Sequence, residues 1–258
     1  SILSCNKALD AASVPRESVG ALIHGSVCRD HLEPATACRV HHGVGLGADC
    51  TIYDTSNACL GILNGMVQAA NMIELGHTNA ALVVGTEGSR QLVETTIAAL
   101  NRDDKLTRNT IKGAIASLTI GSASCAVLLT HRSISKTGNR LQTAVTQANT
   151  SFHKLCHSGK DEAAADGMSP LMTTDSETLM REGIETGRIT FEKFLKQPGW
   201  SLEQIDKSFL KRRKMWDKQK EVSQDYQPVE ESSSVRNLWC SSSSSSASSS
   251  SWMVPLVS

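Results

Sequence analysis

The sequence predicts an α/β fold whose sheet is covered on both faces. Three observations carry this expectation. Strand-like and helix-like runs alternate along the first two hundred residues, the order of an α/β layer architecture. The run "NAALVVGTEG" (79–88) is almost wholly apolar, as a strand buried on both faces must be. Gly, Ala, Ser and Thr are plentiful, which suits close packing of helices on a sheet, and 258 residues with 40% hydrophobic content suffice for a sizeable core.

Residues 1–18 read as a helix end followed by a loop ("KALDAASVPRESVG"), and "SVGALIHGSV" as a buried strand. "CRDHLEPATACRVHHGVGLG" is a loop leading into a short helix, with Pro34 suited to its first turn. "ADCTIYDTS" is a second short strand. A small-residue helix is predicted from Cys59 to Leu75, ended by Gly76 just past its last turn. After the apolar strand at 79–88, residues 90–112 form a polar, partly helical excursion. "AIASLTIGSASCAVLLTHR" reads as two consecutive strands hinged at Gly121, and "RLQTAVTQANTS" as a further strand. Residues 161–174 are a loop. A long helix follows over 175–196, with Thr174 and Glu177 as a capping box and Met180, Ile184, Phe191 and Leu195 as its apolar face.

A weak internal repeat is visible. "VPRESVGALIHGSV" is a turn followed by a strand, and "GWSLEQIDK" near residue 200 opens the same way. The second copy continues as "SFLKRRKMWDKQKEV", which is charge-dense and lacks strand alternation. Beyond Lys207 the composition changes: ten of the eleven residues from 241 to 251 are serine. Such a segment buries too little apolar surface to offset the entropy of ordering it. Residues 208–258 are therefore expected to be a disordered tail foreign to the preceding fold. The chain opens at Ser1 in mid-pattern, as a fragment of a longer fold would.

Composition narrows the function. Lys and Arg together equal Asp and Glu, and no basic patch with interleaved aromatics occurs, so no nucleic-acid partner is expected. No apolar run reaches membrane-spanning length and no secretory signal opens the chain. The eight cysteines (Cys5, Cys28, Cys38, Cys50, Cys59, Cys125, Cys156, Cys240) include no CxxC pair, so neither a zinc site nor a disulfide framework is expected and a reducing, cytoplasmic compartment is. The eight histidines match no metal spacing and read as structural or surface residues; no metal and no cofactor is expected. No GxSxG elbow and no phosphate-cradling GxxxxGK[ST] loop is present.

The stretch "DTSNACLGILNGM" (54–66) places Cys59 where a strand ends and a helix begins. A helix N-terminus offers unpaired N–H groups and partial positive charge, which favour a thiolate and can hold an oxyanion. Ala58, Gly61 and Gly65 allow tight packing, so the cysteine can lie on the floor of a tunnel. Set against this, a lone cysteine is ordinarily a small buried hydrophobe.

The surrounding blocks bear on that choice. "DTSNACLGILNGM" resembles the nucleophile region of the thiolase superfamily, in its 3-oxoacyl-ACP synthase III branch. "ALIHGSVCRDHLEPATACRVHHGVGLG", "NAALVVGTEG", "ASLTIGSASCAVLLT", "SFHKLCHSGKDEAAADG" and "ETLMREGIETGRITFEKFLKQPGWSLEQIDK" resemble further segments of that branch in order and spacing, closest to its OleA type. The resemblance spans residues 1–207. It implies a thiolase-like fold of two similar α/β halves in five layers, with 1–135 as the first half, 136–207 as the start of the second, and a homodimer. It implies an acyltransferase that joins fatty acyl-CoA or acyl-ACP by Claisen condensation, with Cys59 as the residue acylated.

The resemblance also singles out Glu33. A loop glutamate is ordinarily a solvated charge, but OleA-type enzymes carry one in a matching LEP motif twenty-six residues before the nucleophile, and Glu33 stands twenty-six before Cys59. There the loop reaches into the dimer partner's site and the carboxylate acts as base on the second acyl chain. The family's histidine and asparagine have no assignable counterpart: no histidine follows His157, and Asn237 lies in low-complexity sequence. The "SASC" after Gly121 departs from the family's Gly-Asp-Gly-Ala while keeping small residues for packing. Two alternatives stay open: a malonyl-dependent 3-oxoacyl-ACP synthase III, and a truncated non-catalytic relative. Activity in this chain is expected to be impaired.

Overall fold

The computed structural model describes residues 1–31, 33–158, 172–205 and 251–257. A four-stranded sheet is built from β1 (Ala21–His24), β2 (Thr51–Asp54), β3 (Ala80–Glu87) and β4 (Ala123–Thr130), in the order β2-β1-β3-β4. β2, β1 and β3 run parallel, with Ala21 opposite Thr51 and Ala81, and β4 is antiparallel to β3. β1 is buried along its whole length, and so are the first six residues of β3.

Alternation along these strands feeds two cores. On one face Leu22, Leu82 and Val84 meet Cys5 and Leu9 of α1 (Ile2–Ala12) and Val40 and Val44 of α2 (Thr36–Val44). The contributing helix residues are four apart, so each helix presents one stripe. On the other face Ala21, Ile23, Ala81 and Val83 meet Ala69 and Ile73 of α3 (Gly61–Glu74). An apolar strand run thus satisfies helices on both sides, as expected. Gly76 follows α3 at φ 74, a conformation that favours glycine.

Several expectations fail locally. The run 114–120 is not a strand: α4 (Arg90–Arg102) and α5 (Arg108–Thr119) fill the excursion, and only 123–130 pairs. Ile111, Ile115 and Leu118 recur at helical spacing, and that period overrides the β-branched content. Ser117 is fully buried and its hydroxyl donates to the Met172 carbonyl at 3.1 Å, docking α5 on β7 (Met172–Thr174), which pairs antiparallel with β6 (Cys156–Ser158). The loop expected at 161–174 therefore ends in a strand; 159–171 lie outside the described residues.

The long helix α6 (Ser176–Lys196) is present, but Asp175, not Thr174, caps it by accepting from the Thr178 N–H at 3.1 Å. Its buried residues are Thr186, Gly187, Thr190 and Phe194, and Met180 is exposed. The stripe is rotated because polar partners lie beside it: Asn149 donates to Thr186, and Lys193 to Gln147, the last residue of β5 (Arg140–Gln147). After α6, Ser201 and Gln204 form the capping box that opens the second repeat copy. Residues 206–250, which hold most of the expected disordered tail, lie outside the described residues. The last segment of that tail departs from the expectation: Ser251–Val257 forms β8, parallel to β5. "WMVPLV" is apolar rather than low-complexity, which lets it pair.

Candidate active site

Because β1, β2 and β3 are parallel, their carboxyl ends share one edge of the sheet, the edge at which α/β folds place ligands. The connection after β1 carries Glu33, and the connection after β2 carries Cys59. Cys59 lies in a single 3-10 turn, Ala58–Leu60, immediately before α3, so the helix begins two residues later than expected. The turn is strained: Ala58 has φ 42, a left-handed conformation that costs a non-glycine residue about 1–3 kcal/mol and gathers at functional sites. It is braced by Leu60 N–H donating to the Asn57 carbonyl at 2.9 Å, and by Asn57 Nδ2 donating to Asn64 Oδ1 at 2.6 Å.

Glycines seat this turn on the sheet. A Cβ on Gly25, just past β1, would lie 2.5 Å from the Gly61 carbonyl carbon and 2.7 Å from the Ile62 nitrogen. A Cβ on Gly85 of β3 would lie 2.6 Å from the Gly25 carbonyl oxygen. One step along α3, a Cβ on Gly65 would meet Val83 at 2.7 Å. Helix start and strand end are in backbone contact, which only glycine permits. Gly121, by contrast, is uncrowded: a Cβ there would meet nothing within 4 Å. Gly121 sits in the α5–β4 connection.

Cys59 is exposed. It differs in this from the packed cysteines. Burial pushes the Cys5 thiol up to about 12, the behaviour of an inert core thiol, and the half-buried Cys50 thiol up to about 11.

Glu33 is exposed on the β1–α2 connection, joined to Pro34 by a cis peptide bond. Three sets of contacts hold that connection. At its start, Glu87 at the end of β3 accepts from Val27 N–H at 2.7 Å and Cys28 N–H at 3.1 Å. At its end, Asp54 at the end of β2 accepts from Thr36 N–H at 2.8 Å and Ala37 N–H at 2.9 Å, capping α2 from outside its own chain segment. Across its neck, Asp30 N–H donates to Thr36 Oγ1 at 3.4 Å and Arg39 pairs with the Asp30 carboxylate at 2.9 Å. Sequence reasoning missed Asp54 and Glu87. The available signal was an acidic residue closing each of two apolar strands.

His24 is a buried residue, as its structural reading requires, at 2% exposure. Its Nδ1 has no hydrogen-bond partner and lies 3.8 Å from Asp54 Oδ1. Burial lowers its pKa below 6.5, with Asp54 opposing. The folded state therefore takes up this proton less readily than the unfolded chain. The stabilisation is whole above pH about 6.5 and is lost as pH falls below that through the folded value. Thermal melting between pH 7 and pH 5 is expected to show a steeper loss of Tm in the parent than in His24→Phe; equal slopes would refute this.

Among the described residues no three His, Cys, Asp or Glu side chains are grouped to hold a metal ion, and no helix is long and apolar enough to cross a membrane.

Comparison with known proteins adds a family context. Residues 53–150 match the family described as 3-Oxoacyl-[acyl-carrier-protein (ACP)] synthase III. An acyl-CoA:acyl-CoA alkyltransferase of Shewanella oneidensis is 39% identical over 209 residues, covering 80% of this chain and 59% of the relative. Its counterpart in Xanthomonas campestris pv. campestris is 34% identical over 203 residues, covering 79% and 57%. The chain thus spans under two thirds of the length of these relatives. Among solved structures, Xanthomonas campestris OleA with bound lauric acid and lauroyl-CoA superposes with a TM-score of 0.71 at 31% identity, covering 80% of this chain and 58% of that one. Other solved forms of that protein carry substitutions at one glutamate, one cysteine or one histidine.

Proposed function

Since this chain belongs to the thiolase-like 3-oxoacyl-(acyl-carrier-protein) synthase III branch, we propose that it joins two fatty acyl thioesters by Claisen condensation through an acyl-cysteine at Cys59. The Cys59 thiolate attacks the first thioester carbonyl; a C–S bond forms to the enzyme and the carrier thiol leaves. Glu33 removes an α-proton from the second thioester. The carbanion attacks the acyl-cysteine carbonyl, the new C–C bond forms, and the Cys59 thiolate departs. The products are one 3-oxoacyl thioester and one free thiol, so no oxidant or cofactor is needed.

The observation that carries this reading is the strained turn bearing an exposed Cys59 at the N-terminus of α3, on the carboxyl edge of a parallel sheet. A second observation supports the pairing with Glu33. The glutamate and the cysteine substituted in solved forms of OleA stand the same number of positions apart as Glu33 and Cys59. By the same reading residues 1–135 are the first half of the fold and 136–207 the start of the second. The working unit is a homodimer in the cytoplasm, and the exposed Glu33 loop serves the partner's site. The site's histidine and asparagine are not assigned: no histidine follows His157, and Asn237 lies in low-complexity sequence outside the described residues.

Incubation of the full-length protein with labelled lauroyl-CoA, followed by mass spectrometry of the Cys59 peptide, tests the proposal. An acyl adduct on Cys59 is expected. Its absence, with the protein folded, would sink the enzymatic reading and favour the non-catalytic one.

A further inference from the structure

We propose that Asp54 and Glu87 are positioning residues that hold the Glu33 loop in the conformation that presents Glu33 to the partner's site; the proposal rests on reading Cys59 as nucleophile and Glu33 as base. The two carboxylates close neighbouring parallel strands on either side of β1, the strand from which the loop departs. Each accepts two consecutive backbone N–H groups, Glu87 at the loop's first residues and Asp54 just past its last. A carboxylate accepting two backbone N–H bonds is a charge-assisted clamp, stronger than a neutral pair and fixed in direction. The loop backbone is thereby fastened at both ends to the edge of the sheet from which the Cys59 turn also departs.

The clamps have a consequence for Glu33 in particular. Asp54 is the last residue of β2 and lies five residues before Cys59. One side chain therefore links the strand feeding the nucleophile turn to the start of α2. Glu33 stands three residues before Thr36, inside the neck closed by Asp30, Thr36 and Arg39. Glu33 itself is exposed, so its position is set by the backbone that carries it and not by packing of its own side chain. A base displaced by about 1 Å from a reacting atom loses on the order of a hundredfold in rate.

The test uses the full-length protein with lauroyl-CoA as probe. Asp54→Asn and Glu87→Gln are each made alone and in a Glu33→Gln background, and Cys59 acylation and condensation are timed separately. Each single variant is expected to acylate Cys59 within about twofold of the parent while condensation falls about tenfold to a hundredfold. In the Glu33→Gln background the same changes are expected to cost nothing further, the signature of residues acting through one another. Acylation falling in step with condensation would overturn the proposal, since the carboxylates would then be holding the nucleophile turn or the fold. An equal loss in the Glu33→Gln background, or unchanged condensation, would overturn it as well. If Asp54→Asn does not fold, Glu87→Gln, remote in sequence from Cys59, decides. A parent lacking the Cys59 adduct, or a Glu33→Gln enzyme condensing like the parent, would instead strike the functional reading beneath it.

Discussion

Replacing Glu33 by glutamine is expected to lower condensation of two acyl-CoA molecules by about 10²–10⁴-fold, the contribution of a general base, and to leave acylation of Cys59 within about twofold. Glutamine keeps the shape and one acceptor oxygen but cannot take a proton. Folding is not the route of the effect. Glu33 is exposed, and the loop is held by Glu87, Asp54 and the Asp30–Thr36–Arg39 neck, none of which involves the Glu33 side chain. Stability should therefore stay within about 0.5 kcal/mol of the parent. Mass spectrometry reads both steps, the adduct on Cys59 and the 3-oxoacyl product. Unimpaired condensation with a malonyl thioester in the same variant would favour the malonyl-dependent alternative, in which decarboxylation supplies the carbanion and no base is needed.

Gly25→Ala is expected to have the largest structural effect. The added methyl would lie 2.5 Å from the Gly61 carbonyl carbon and 2.7 Å from both the Gly61 oxygen and the Ile62 nitrogen. All three are backbone atoms at the start of α3, so no side chain can swing away, and the helix start must move. Overpacking of this kind costs about 1–3 kcal/mol. The displaced element carries Cys59, so the acylation rate should fall on the order of a hundredfold even at temperatures where the variant remains folded. Denaturant melts and single-turnover acylation check the two effects separately. Gly183→Ala is the control, because a Cβ there meets nothing within 4 Å. Normal acylation by Gly25→Ala would show that the glycine contact does not seat the turn.

Much of the fold is legible in the sequence. The apolar run at 79–88, the strand at 18–27 and the small-residue helix after Cys59 are each set by a local pattern that tertiary contacts reinforce, and they form β3, β1 and α3. The failures share a cause. Residues 114–120 mix β-branched and small residues whose helical period is easily read as strand, and docking of the buried Ser117 on β7 selects the helix. The face that α6 buries differs from the expected one because Thr186 and Thr190 are buried through hydrogen bonds, which a hydrophobic stripe does not announce.

The candidate site divides along the same line. By itself the sequence determined the α/β class, the strand–turn–helix setting of Cys59 and its spacing from Glu33, because these follow from side-chain period, turn chemistry and position along one chain. Only the tertiary structure decided what surrounds them. The backbone contact of Gly25 with Gly61, the unpaired Nδ1 of buried His24 and the clamps from Asp54 and Glu87 each depend on segments remote in sequence. Parallel strand order brings those segments to one edge, and sheet order is a property of the fold that no local stretch encodes.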